Sequence, residues 1–382
     1  MVVCLTAAIA GCGGLPADPP DVIGPCADLY AQDIVPTFEL DVAAADWQAI
    51  AADYSNRVKG TYYPARFRVG AEVVPDARIR LRGRTDNWIG TKMQFVIAFN
   101  RVDGDRRFHG LRKLSLDASP WDHSMLRERI GLAYLRDLGL PAACANNARL
   151  VVNGAYVGLY TSVEDADRAY LERNFARPDG DLFAIDGETG AWELETNEDD
   201  GDLVRLERYL DQTDVAAIDH LTDLEGSIAE WAGEAMIPHA EGYTAGAINF
   251  LLYDHPARGF VTLPYDLDSI FFYDDAAGAD LDQADPLTFR FGSLTRPRQV
   301  TEILADPRWV AVFQAELDAA LAAYDVPTLQ ARTTAWAAQI AADVAADPNR
   351  GFTPAQHDAA VQEIRGFVAD RAAFVAAWRA AR

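Results

Sequence analysis

From Pro36 onward the chain alternates. "TFELDV" (37–42), "ARFRVG" (65–70) and "ARIRLRG" (77–83) set apolar and polar residues in succession, the period of half-buried strands, and "MQFVIAF" (93–99) is a more continuous apolar run. Both kinds suit antiparallel strands. "SPWD" (119–122) then predicts a helix start, with Ser119 as N-cap, Pro120 in the first position and an acid in the third. Leu126, Ile130, Ala133 and Leu138 follow at helical spacing, and "GLP" (139–141) ends the helix. "RLVVNGAYVGLY" (149–160) is two strand runs around Asn153-Gly154, a hairpin signal. Residues 186–202 hold eight acids and no base, without regular calcium-ligand spacing, and predict a solvated loop. Beyond it the pattern is mostly helical, closing on a helix whose Thr353, Pro354 and Gln356 form a capping box.

That order predicts an α+β protein in two regions: a strand-rich 35–185 with one packed helix, and a mostly helical 203–382, joined by the acidic loop 186–202. One segment departs from the helical pattern. In "RGFVTLPYDLDSIFFYDD" (258–275) an apolar run carries Asp266 and Asp268 two residues apart. In a strand these carboxylates project from one face, and such close like charges cost free energy unless a cation or donors compensate.

Charge refines the picture. The 382 residues carry a net charge of -24, yet 78–129 hold ten Arg and two Lys against six acids. A basic island in an acidic chain fits either a local anion site or a cluster on a solvated sheet face, while the total argues against broad nucleic-acid binding. No segment has the roughly 20 apolar residues of a membrane span. The start, "MVVCLTAAIAGCGGLPADPPDVIGPC", resembles a bacterial lipoprotein signal. Residues 1–12 read as signal with the lipobox "IAGC", Cys12 as the lipidated residue, and 13–34 as a flexible Gly/Pro-rich tether. No Lys or Arg precedes the apolar run, a departure from such signals. Export would leave Cys26 and Cys144, either as a disulfide or as two buried thiols.

Lysine is scarce: Lys59, Lys92 and Lys113 are the three in the chain. Lys92 opens a strand after the Gly-containing turn "RGRTDNWIGT", and a helix carrying Glu128 follows. This is the layout of a phosphate-gripping lysine oriented by a helix glutamate, with Arg82 a second phosphate candidate. His239, Glu241 and His255 offer a competing metal-hydrolase set, although the motifs of zinc deaminases and zincins are absent.

Taken in order, "ARIRLRGRTDNWIGTKMQF", "FHGLRKLSLDASPWDHSMLRERIGLAYLRDLGLP", "RLVVNGAYVGLYTSVEDAD", "HAEGYTAGAINFLLYD" and "FVTLPYDLDSIFF" resemble the spore-coat-protein-H (CotH) kinase family. The resemblance implies an atypical protein-kinase-like fold of two lobes. It also implies binding of ATP with Mg²⁺ or Mn²⁺ and phosphate transfer to protein Ser/Thr hydroxyls. It assigns Asp266 and Asp268, with Asn249, to the metal, and Glu241 to the catalytic position. Lys92 would take the phosphates and Glu128 would orient it. The chain departs from the family pattern: Tyr265 replaces a tryptophan, Glu241 an aspartate, and Ile248 the first of two asparagines. The aspartate replacement leaves open a nucleotide-binding pseudokinase, or a surface lipoprotein that keeps the fold as a binding module.

Overall fold

The computed structural model describes residues 21–186, 188–196, 203–274, 278, 280–292, 294 and 296–382. Cys12 and its lipobox lie outside these residues.

Among the described residues, seven strands close a barrel in the order β1-β2-β3-β4-β5-β7-β6. They are β1 (Thr37–Asp41), β2 (Tyr63–Val69), β3 (Glu72–Leu81), β4 (Phe95–Ala98), β5 (Lys113–Asp117), β6 (Ala145–Val152) and β7 (Ala155–Glu164). Neighbours run antiparallel except at the closing seam, where β1 pairs parallel with β6, Thr37 opposite Arg149. Alternation decides what fills the barrel. Phe38, Phe67, Ile79, Leu81, Phe95, Ile97, Leu114 and Leu116 are buried together inside it. The residues between them on β3, β4 and β5 therefore face outward, Arg80, Val96, Lys113, Ser115 and Asp117, as does Gln94 just before β4. The Asn153-Gly154 turn joins β6 to β7 with both residues at positive φ, as the sequence predicts.

A second sheet, in the order β11-β10-β8-β9, is built from β8 (Asp181–Ile185), β9 (Trp192–Leu194), β10 (Phe250–His255) and β11 (Gly259–Pro264). Helices complete the chain. Within the first region are α1 (Ala44–Asn56), α2 (Arg127–Asp137) and α3 (Arg168–Asn174). Then come α4 (Leu203–Leu210), α5 (Val215–Leu221), α6 (Leu224–Met236), α7 (Arg298–Ile303), α8 (Pro307–Ala323), α9 (Val326–Ala346) and α10 (Pro354–Ala380). The Thr353 capping box opens α10.

The protein is thus mixed α+β, strand-rich at first and helical at the end. Five local expectations are corrected. The closed barrel is not a feature particular to a kinase-like lobe. The first region packs α1 and α3 as well as α2, and β8 leaves it to pair with β10. The helix expected from Ser119 begins at Arg127; "SPWDHSM" is a run of turns, and the Asp122 carboxylate accepts the Leu126 and Arg127 backbone N–H groups, both at 2.9 Å. The acidic loop contains β9, and Asp186 and Glu188 pair with Lys59. Residues 21–34, expected within the tether, are docked. Cys26 is disulfide-bonded to Cys144, and the Gly24 backbone bonds Arg173 and Arg136.

Candidate active site between the barrel and the second sheet

A cleft of about 520 Å³ separates the outer face of β3, β4 and β5 from the second sheet. That size lies within the usual range for small-molecule sites. Arg80, Arg82, Lys113 and Asp117 line its barrel wall, and Glu128, Glu241, Asn249, Asp266 and Asp268 line the opposite side.

Each acid is set by its own local structure. β11 ends at Pro264, so the acids do not share a strand face as expected. Asp266 adopts a left-handed conformation (φ 56°, ψ 65°) and opens a single 3₁₀ turn, Leu267–Ser269. Asp tolerates this region better than most residues. The turn redirects the chain, and both carboxyls still reach the cleft. Helix α2 lies directly against this turn, because a Cβ at Gly131 would stand 2.3 Å from Ile270 Cδ1. Arg127 fastens the same contact: its guanidinium donates to Phe271 O at 2.9 Å and stacks 3.6 Å over the Phe272 ring. The neighbouring Glu128 is thereby delivered to the two aspartates.

The resulting electrostatics are unbalanced. Burial, then Asp266 and Asp117, raise the Glu128 carboxyl well above its ordinary range, with Arg82 opposing. Burial, then Asp266, Asp117 and Glu128, do the same to Asp268. Asp266 is pushed up to about 6 by burial, against the pull of Arg82. Glu128 Oε2 is buried and has no hydrogen-bond partner among the described residues. The Arg82 guanidinium is held protonated against the cost of its burial by its ion pair with Asp117 and by the nearby Tyr265, Asp266 and Glu128. Arg82 therefore faces the carboxyls of Asp117, Asp266 and Glu128, with Asp268 beside them, an arrangement that a further cation would relieve.

The residues present fit a divalent cation shared with phosphate. The orphaned Glu128 oxygen and the mutual repulsion of the acids supply the demand. Among the described residues no group of three or more acid, imidazole or thiol side chains is placed to hold a metal ion by itself.

Glu241 and Asn249 meet at the cleft edge. Asn249 Nδ2 donates to Glu241 Oε2 at 2.9 Å and to Asp266 O at 3.3 Å. The Ile248 and Asn249 backbone N–H groups both donate to Glu241 O at 2.9 Å. The "HAEGYTAGAIN" stretch thus folds back on itself and places a carboxylate beside the aspartate turn.

The structure does not bring Lys92 here. It precedes β4 rather than opening it, and it is not among the described residues that line the cleft. Its ammonium donates to Leu159 O (2.5 Å) and Asp347 Oδ2 (2.7 Å). Glu128 consequently orients no lysine; its cationic neighbour is Arg82. The hydrolase set does not assemble either. His239 is buried with Nδ1 2.8 Å from Glu234 Oε1, and His255 packs among Phe175 and Tyr253. Sequence reasoning missed Lys113, Asp165 and Glu195, which cluster in the cleft lining. Lys113 Nζ lies 2.6 Å from Asp165 and 4.0 Å from Glu195. Burial pushes the Glu195 carboxyl up to about 7, although Lys113 opposes. The outward parity of "RKLSLD" on β5 was the available signal.

A cleft lined by Arg80, Arg82 and Lys113, with a cluster of acids and a carboxylate–amide pair at its edge, is the candidate site. The CotH kinase protein family matches this chain over residues 79–375, more than half its length, and the protein belongs to that family. A segment of 81 residues is 28% identical to the inner spore coat protein H of Bacillus subtilis (strain 168), covering 21% of this chain and 22% of that protein. The similarity thus spans about a fifth of that relative.

Proposed function

We propose that the protein is a metal-dependent kinase that moves the terminal phosphate of ATP to a Ser/Thr hydroxyl of a protein acceptor. The observation that carries this is the meeting of Glu241 with Asn249, Asp266, Asp268, Glu128 and Arg82 in one cleft. On this reading the barrel and the helical half act as the two lobes of an atypical protein-kinase-like fold.

Arg82 contacts phosphate oxygens. Asp266, Asp268 and Asn249 would hold Mg²⁺ or Mn²⁺, which would neutralise phosphate charge when bound. Glu241 accepts the proton as the acceptor oxygen forms its bond to the γ-phosphorus, and the β–γ bridging P–O bond breaks to leave ADP. Lys92 has no part in this scheme.

The purified chain, incubated with γ-labelled ATP, Mg²⁺ or Mn²⁺ and a generic protein acceptor, should transfer label. Glu241→Gln should cut turnover roughly 10²–10⁴-fold, with nucleotide affinity nearly unchanged. No transfer, together with no metal-dependent binding of ATP, overturns the reading. A second reading, nucleotide binding without turnover, is favoured by the Asn249 amide already engaging the Glu241 carboxylate. Metal-dependent ATP binding without transfer would select it.

The spore-coat location in the relative's name supports an exported or surface-associated protein, and the lipobox adds a lipid anchor at Cys12. Cys12→Ser should leave the membrane fraction of an expressing bacterium; identical fractionation of mutant and parent removes the anchor.

A further inference from the structure

Behind the cleft, outside its lining, lies a cluster of ionisable groups that the chemistry above does not use. Helix α6 carries Glu230 and Glu234 one turn apart, each 2% exposed. Two acids so placed are expensive to bury. Burial raises both carboxyls, and the charge of Glu234 adds to the rise at Glu230. Glu234 Oε1 meets His239 Nδ1 at 2.8 Å, with the histidine as deeply buried. Oε2 of each glutamate and Nε2 of His239 have no hydrogen-bond partner among the described residues.

The placement of this cluster gives it a role. The turn carrying Glu241 is laid directly over it: a Cβ at Gly242 would stand 2.4 Å from Glu234 Oε2 and 2.7 Å from His239 Nδ1. Gly242 N donates to His239 O at 3.0 Å, and Glu241 O then accepts the Ile248 and Asn249 amides. The same helix is fastened to β11, the strand that delivers Asp266. Trp231 Nε1 donates to Thr262 Oγ1 at 2.9 Å, and Ser227 Oγ accepts from Thr262 N at 3.2 Å. One helix therefore holds both chain segments that build the site. Between them the His239 imidazole feels the charges of Glu241, Glu230 and Asp266.

We infer that Glu234 is a positioning residue of this site: through its hydrogen bond to His239 it fixes the turn that presents Glu241 beside the Asp266 turn, with Glu230 as its buried partner. The inference rests on the kinase reading for its effect on turnover, and on geometry alone for its effect on the turn. Displacing a catalytic group by on the order of 1 Å can cost about a hundredfold in rate.

The test compares Glu234→Leu, which removes the hydrogen bond, with Glu234→Gln, which keeps a group able to bond Nδ1 in either tautomer. Glu234→Leu should lower kcat by roughly a hundredfold with KM for ATP within about twofold, and Glu234→Gln should restore most of it. Independently of activity, hydrogen exchange should accelerate in 239–249 in the Leu variant while α6 and β11 stay protected. An inactive parent defeats the kinase reading and leaves the exchange measurement to decide this inference. Unchanged exchange and turnover in Glu234→Leu overturn it, as does a loss of protection spread evenly over the chain. Should Glu234→Leu not fold, His239→Leu removes the same bond from the other side and is read by the same criteria.

Discussion

Two cations ten residues apart in sequence, Arg82 and Lys92, are both buried against carboxylates, and they do opposite things. Around Lys92 the donors and acceptors close. Its ammonium bonds Asp347 and Leu159 O and sits 4.9 Å over the Tyr160 ring, while Asp347 also accepts from Leu159 N and Asn349 N. Burial lowers the lysine's proton affinity, and Asp347 holds part of it back. The pair joins the barrel to the C-terminal end of α9 and asks for nothing more. Around Arg82 the account stays open. Arg82 faces Asp117, Asp266 and Glu128, Asp268 adds a further carboxyl beside these acids, and a buried glutamate oxygen lacks a partner among the described residues. Burial beside opposite charge is common to both. The excess of acid in an accessible cleft is what separates a site from a clamp.

The largest effect should come from opening the clamp. Lys92→Met leaves Asp347 buried and uncompensated, and should cost about 3–5 kcal/mol in denaturant unfolding while the folded fraction still binds ATP with metal. Intact stability with lost nucleotide binding would invert the comparison. Next, Asp266→Asn should keep the fold and abolish the stabilisation that Mg²⁺ and ATP give the parent, about 2.7 kcal/mol at a hundredfold excess over Kd. Stabilisation that survives in this variant and in Asp268→Asn would remove the metal assignment.

The smallest effect is a dependence on pH. The Asp266, Asp268 and Glu128 carboxyls are raised in the folded state, chiefly by burial, so the folded chain binds more protons than the unfolded one. Without divalent cations, stability should therefore fall as pH rises through the window above the ordinary carboxylate range, about 4. For Asp266, pushed up to about 6, the loss between pH 5 and 7 is about 1–2 kcal/mol. Saturating Mg²⁺ with ATP should flatten the share due to the cleft and leave the share due to Glu230 and Glu234. Denaturant midpoints across pH, with and without the metal nucleotide, measure both; a slope that the metal nucleotide does not change would contradict the open account around Arg82.

Much of this arrangement could be read from local pattern. Alternation on "ARIRLRG" marked a half-buried strand, and the hairpin and the last capping box followed from their turn chemistry. What escaped was non-local or conformational. The partner of Lys92 lies 255 residues away, and no periodicity reports such a pairing. Asp266 leaves the strand through a left-handed residue that an apolar run conceals. Helix α1 has no side-chain cap at Ala43, and Ile50 is its one fully buried residue, so it carries little of the usual signature. For α2 the cap came from Asp122, a turn before the helix, which drew the expected start too far upstream.

The barrel seam has a consequence for how the chain assembles. β1 finds its parallel partner β6 more than a hundred residues later, so a chain made from its N-terminus cannot complete the barrel until β6 has emerged. Cys26 and Cys144 flank the two strands of that seam and span 118 residues, nearly the same loop. The covalent bond and the strand pairing thus restrict the same long loop of the unfolded ensemble, and whichever forms first lowers the entropic barrier to the other. Oxidation becomes an assembly aid as well as a reinforcement: a chain kept reduced must search for its seam unaided.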